Sequence, residues 1–136
     1  MAENVICDEY LRSFFKIPKG KDGDRELADV VSRLERMRFE HGEDICTADS
    51  EGDCMFFLES GVALVLTRDG EQINVLHEGQ YFGEYAVLSG QRRMSTVRSQ
   101  GRTVVYRLSG GDMMAILRRH PDLYSELMKR VYGQVS

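Results

Sequence analysis

Cys54–His77 reads CMFFLESGVALVLTRDGEQINVLH. It holds three short apolar runs, Cys54–Glu59, Val62–Thr67 and Gln72–His77. The last two are joined by Arg68-Asp69-Gly70-Glu71. Asp-Gly between apolar runs is the strongest short-range hairpin signal, because a two-residue hairpin turn needs positive φ angles. The period of the pattern is two, that of a strand. Further runs lie on both sides: Arg36–Glu40 and Asp44–Thr47 before it, Arg93–Ser99 and Arg102–Leu108 after it. His41-Gly42-Glu43, Ser50-Glu51-Gly52-Asp53 and Gln100-Gly101-Arg102 punctuate them. Short strands at this spacing predict a sandwich, barrel or jelly roll, here a roll of about eight strands.

Helical patterns flank the strands. Ile6, Tyr10, Leu11, Phe14 and Phe15 recur at three- and four-residue steps. Ile17–Asp24, IPKGKDGD, reads as a loop, with Asp24 as N-cap of a second helix. Leu27, Val30, Val31 and Leu34 then share one helical face. Glu84–Leu88, EYAVL, suits a short helix set between strands. Beyond the last strand, Ser109 can cap a helix to about Arg119, and Pro121 can open a final one carrying Leu123, Leu127 and Val131 on one face. The expected layout is α+β, mainly β, in one domain over 1–136. Helices fill 1–35, the β-roll 36–108 and the C-terminal helices 109–136.

Bulk properties narrow the function. The formal charge is −4, without long like-charge blocks, so no basic stripe invites nucleic acid. No stretch approaches the ~20 apolar residues that span a bilayer. The N-terminus MAENVICDEY is acidic and lacks the apolar run of a signal peptide, and a cytoplasmic protein is expected. Cys7, Cys46 and Cys54 are odd in number and show no paired ligand spacing, so each reads as a buried thiol. A metal-dependent cupin, also a small roll, would need clustered histidines, whereas His41, His77 and His120 stand apart beside turns, on the surface. No nucleophile elbow or zinc-protease pattern is present, no metal is called for, and no enzyme is expected.

The chemistry concentrates in Gly79–Val97, GQYFGEYAVLSGQRRMSTV. Gly83 lets a ligand approach the backbone closely, and the amides of Tyr85 and Ala86 begin a helix, where N–H groups are unpaired. An arginine delivered to the same place adds a fork of donors that suits phosphate oxygens. Glu84 would be repelled by bare phosphate, but a ribose 2′-hydroxyl could donate to it. A sugar phosphate answers to all of these groups.

On these residues the sequence resembles the cyclic-nucleotide-binding domains of cyclic-nucleotide-dependent kinases, gated channels and catabolite-activator-type regulators. Phe82, Gly83, Glu84, Ala86, Arg93, Ser95, Thr96 and Val97 stand in register with the family's phosphate-binding cassette, here 82–97. Glu51–Leu58, Gly61 and the approach Gly79–Phe82 match its upstream signature. The resemblance implies reversible binding of a cyclic nucleotide as a regulatory sensor, with no further cofactor. Arg93 would pair with the cyclic phosphate and Glu84 accept from the ribose 2′-hydroxyl. The amides of Ala86 and Met94 would donate to phosphate oxygens, and Phe82, Tyr85 and Ser95 would line the site. Met94 replaces the threonine that often accompanies cGMP preference, which favours cAMP, with cGMP second. Val131 or Tyr132 on the last helix would cap the purine. The remaining partner is a downstream protein or tethered effector, unidentified by the sequence. A nucleotide-free interaction module on the same fold is the alternative.

Overall fold

A computed structural model describes residues 4–133, with side chains as far as 131. The elements run α1 (Asp8–Phe14), α2 (Lys21–Arg33), β1 (Glu35–Phe39), β2 (Asp44–Cys46), β3 (Cys54–Leu66), β4 (Gln72–Leu76), β5 (Tyr81–Phe82), α3 (Glu84–Ser89), β6 (Thr96–Ser109), α4 (Gly110–Leu117) and α5 (Pro121–Gly133). The strands pair antiparallel in the order β1-β6-β3-β4, with β2 added to β6 and β5 to β3. Helices flank this sheet on the chain's two ends, the α+β layout expected.

The described residues hold six strands, not eight. Four of the expected runs fuse into two, because β3 passes through Gly61 and β6 through Gly101 without breaking. The ladder between them shifts register at Leu58/Ser60 and again at Ser60/Val62. Such bulges bend a strand while keeping it paired. At the bend Gly61 has φ +92°, and a β-carbon there would lie 2.4 Å from the Arg102 carbonyl oxygen, so only glycine fits. Gly61, which falls between two of the expected runs, is here a corner within one strand. Arg93 also falls outside the strand assigned to it, since β6 begins at Thr96.

Asp24 is not an N-cap. Helix α2 starts at Lys21 after Gly20, and the Asp24 amide already donates to the Gly20 carbonyl (2.8 Å). Its carboxylate instead accepts from Arg12 (3.0 Å). Ser109 and Pro121 do what their sequence positions suggest: the Ser109 hydroxyl accepts from the Asp112 amide (3.1 Å), and α5 opens at Pro121. The cysteines differ from one another. Cys54 is buried and Cys46 partly so, but Cys7 is exposed. His120 is not a surface residue either, being half-buried against Glu26 of α2.

Alternation along β3 divides the core in two. Met55 and Phe57 face a cluster built by the helices, with Leu11, Phe15, Val30, Leu108, Ile116 and Leu127. Cys54, Phe56 and Leu58 face the inside of the roll, with Ile45, Ala63, Leu76, Phe82, Val97 and Val105. Both faces of β3 are therefore covered, which is why CMFFL is apolar without interruption. Where α2 meets α4, Asp29 accepts from Arg33 (3.0 Å) and Arg119 (3.0 Å), and Arg33 also reaches Asp112 (2.5 Å). The Arg119 bond first, then Arg33, holds the Asp29 carboxyl below its ordinary value.

Candidate functional site

A cavity of about 260 Å³ opens from the interior of the roll. One wall is apolar: Val65, Leu76 and Val97, with the Cys46 thiol. The other is the segment from Tyr81 to Ala86 and from Arg93 to Ser95. All eight residues proposed as contacts within the cassette, Phe82, Gly83, Glu84, Tyr85, Ala86, Arg93, Met94 and Ser95, line this one space. A larger hollow, about 680 Å³, lies between α1 and Gly79–Tyr81. Among the described residues it has no cationic lining group, so volume does not single out the site.

Arg93 dominates the smaller cavity. It is only 6% exposed, yet among the described residues no carboxylate lies within ion-pair distance of it. One guanidinium nitrogen donates to the Cys54 carbonyl (2.7 Å), with the Cys54 sulfur 3.5 Å away. The guanidinium carbon stands 5.8 Å from the centre of the Phe56 ring, which itself stacks on Phe82 at 5.1 Å. These contacts orient the fork without neutralising it. Burying a charge is costly unless an opposite charge meets it.

Gly83 makes room for that fork. Its φ is +88°, and a β-carbon there would come within 2.8 Å of an Arg93 nitrogen. Helix α3 follows directly, so the Tyr85 and Ala86 amides belong to its first turn and lack intrahelical acceptors. Glu84, in the same turn, has its carboxyl raised above its ordinary 4.5. Burial is the main cause, opposed by its own amide, by Arg130 and by Arg93. Burial likewise raises the Cys46 and Cys54 thiols, and nearby Arg93 partly offsets it. Arg92 points the other way, exposed and donating to the Asp49 carbonyl (2.9 Å), so the two adjacent arginines do not compete for the cavity.

The last helix is placed differently from expectation. Val131 is 1% exposed and does not line the cavity. The Tyr132 side chain lies outside the described residues. Arg130, which the sequence reading passed over, is hydrogen-bonded to the Tyr81 hydroxyl at the cavity wall. Val65, Leu76 and Cys46 were also passed over as lining residues. Their signal was inward parity on β2, β3 and β4, which marks a core residue and a ligand wall alike.

The family model described as cyclic nucleotide-binding domain matches residues 36–120, more than half of the chain. The protein belongs to the cyclic nucleotide-binding domain family. Among relatives of this family domain, a cyclic nucleotide-gated channel of Caenorhabditis elegans is 34% identical over 111 residues, 76% of this chain. A cAMP-dependent protein kinase regulatory subunit of Mucor circinelloides f. lusitanicus is 31% identical over 111 residues, 74% of this chain. The match spans only 15% and 26% of those two proteins. In three dimensions, the regulatory domain of Toxoplasma gondii PKA, crystallised with cAMP, aligns with TM-score 0.76 at 22% identity, over 93% of this chain and 48% of that one. A Geobacter metallireducens protein aligns with TM-score 0.72 at 22% identity, over 96% of both chains. At such identity these two likenesses speak for the shared fold. No helix of the described residues is long and apolar enough to cross a membrane.

Proposed function

We propose that this domain is a regulatory sensor that reversibly binds a cyclic nucleotide monophosphate, with cAMP favoured over cGMP, and catalyses no reaction. The observation that carries the reading is Arg93, a buried guanidinium that shares the cavity with Glu84 but has, among the described residues, no carboxylate within ion-pair distance. A cyclic phosphate supplies one negative charge on two exocyclic oxygens, which suits a fork of donors. The amides of Ala86 and Met94 complete the phosphate shell, and Gly83 keeps the approach open. Glu84 accepts from the ribose 2′-hydroxyl, a donor suited to a carboxylate whose burial raises its pKa. Phe82, Tyr85 and Ser95 with the Val65–Leu76–Val97 wall surround the rest of the nucleotide. Met94, half-exposed at the cavity rim, brings no hydroxyl for a guanine amino group, which favours cAMP.

The output is conformational. Arg130 ties α5 to Tyr81, at the edge of the cassette, so a ligand that shifts the cassette loads that contact and moves the helix. Val131 faces the core and reaches the base only through such a movement, and Tyr132 is the other candidate for that lid. The recipient of the signal is a downstream protein or tethered effector. Thermal unfolding with cAMP, cGMP or 5′-AMP tests the reading. A ligand at 100 times its Kd stabilises the fold by about 2.7 kcal/mol. The expected order is cAMP, then cGMP, with 5′-AMP far behind, because its dianionic open phosphate cannot take the ring geometry. No stabilisation by either cyclic nucleotide leaves the nucleotide-free interaction module as the better account.

A further inference from the structure

The chain closes a turn against the outer side of the cassette arginine. Three hydrogen bonds join 48–50 to 93–96. The Asp49 amide donates to the Arg93 carbonyl (2.8 Å), and the Arg93 amide donates to the Ser50 carbonyl (2.9 Å). The Ala48 amide donates to the Thr96 hydroxyl (2.9 Å). The first two bonds grip both peptide groups of Arg93, and so fix the backbone from which its side chain departs into the cavity. The turn is closed on itself by the Ser50 hydroxyl, which donates to the Thr47 carbonyl (2.6 Å).

Asp49 bears the cost of this arrangement. Its φ is +69°, and only one other described non-glycine residue, Lys16, has a positive φ. Aspartate and asparagine enter this left-handed region more readily than other L-residues, and β-branched side chains hardly at all. Two arginines fasten Asp49 from solvent: Arg68 Nε donates to its carboxylate (2.7 Å) and Arg92 to its carbonyl (2.9 Å). Asp49 itself does not line the cavity.

We infer that Asp49 is a positioning residue for the anion site: its left-handed backbone delivers the two main-chain bonds that aim Arg93. The inference rests on the reading of the cavity as a nucleotide site. It also gives the adjacent arginines distinct tasks, Arg92 holding the turn from outside while Arg93 meets the ligand inside.

The test uses the whole chain, with Asp49→Val and Asp49→Asn made alone and in an Arg93→Lys background. Amide hydrogen exchange reads the clamp without any ligand, and calorimetry with cAMP reads its effect. Asp49→Val should speed exchange of the Arg93 amide by about tenfold or more, while the Phe57 and Val105 amides in the β3–β6 core keep their rates. It should weaken cAMP binding by about tenfold, and by less than about threefold in the Arg93→Lys background, because a residue acting through Arg93 is not additive with it. Asp49→Asn should stay within about threefold of the parent in both readings, as asparagine tolerates the same φ. Unchanged Arg93 exchange overturns the inference. So does an equal loss of affinity in both backgrounds. A parent protein that binds neither cAMP nor cGMP overturns the nucleotide reading instead, and Arg93 exchange in Asp49→Val still decides on the clamp. If Asp49→Val does not fold, Asp49→Ala carries a smaller form of the same backbone penalty and is read in its place.

Discussion

Arg33 and Arg93 sit at the two ends of the molecule's charge economy. At the junction of α2 and α4, Arg33 is partly exposed and meets two carboxylates, Asp29 and Asp112, while Arg119 shares Asp29. Within the roll, Arg93 is buried deeper and, among the described residues, has no carboxylate within ion-pair distance. The first arrangement is complete as it stands and serves to join helices. The second leaves a charge in a low-dielectric site, which folding alone would select against. The difference separates an ion pair that supports the fold from a cation that, on the reading proposed above, awaits a ligand, and it does so without reference to which motif either residue belongs to.

The sharpest way to break the comparison is to truncate each arginine. Arg93→Ala should weaken cAMP binding by on the order of 100-fold, since charge-assisted hydrogen bonds to phosphate contribute about 1.5–3 kcal/mol each. The same variant should unfold no earlier than the parent in the absence of nucleotide, because the unpaired charge has gone. Calorimetry and a thermal melt check the two halves. Equal affinity would show that the guanidinium does not hold the ligand. Gly83→Ala comes next. Its β-carbon would press on the Arg93 fork in a left-handed backbone, so a loss of about 1–3 kcal/mol in stability should accompany weaker binding.

Glu84→Gln sharpens the contrast by pH. The folded protein keeps the Glu84 proton at pH values where the unfolded chain has already released it, since burial raises the carboxyl above 4.5. The parent therefore loses stability relative to the variant as pH rises from 4.5 through the folded value, and the deficit persists at neutral pH. Melts at pH 7 should favour Glu84→Gln, and melts below pH 4 should coincide. With nucleotide present, the variant should also discriminate less between cAMP and 2′-deoxy-cAMP. Melts that differ equally at both pH values would remove burial of the charge as the cause. The smallest effect belongs to Arg33→Ala: a slight loss of stability, diminished further by salt, with cAMP affinity as in the parent.

Much of this was legible in the sequence, and the exceptions have physical causes. The cassette motif places its residues around one cavity because they come from a single short segment, strand–glycine–helix–loop, whose geometry is local. Strand count was less legible. Gly101 carries the signal of a turn and Gly61 falls between two expected runs, yet the bulged ladder between β3 and β6 lets the chain bend there and stay paired. That outcome depends on the partner strand, which no local pattern contains. The same holds for Asp24, whose capping preference yields to an N-terminal start at Lys21 and a bond from Arg12. It holds again for Val131, whose heptad-like spacing with Leu123 and Leu127 correctly marks a buried face but cannot say whether that face looks at the core or at a ligand. Arg130 was missed because its partner, the Tyr81 hydroxyl, lies far away in sequence.

Tyr81 and Tyr85 both border the Arg93 cavity, and the chain contains six tyrosines and no tryptophan. Ultraviolet emission from this protein therefore comes from phenol rings alone, undimmed by energy transfer to indole. A purine arriving beside two of the six should quench a sizeable part of that light, giving the domain a built-in optical readout of occupancy that needs no label.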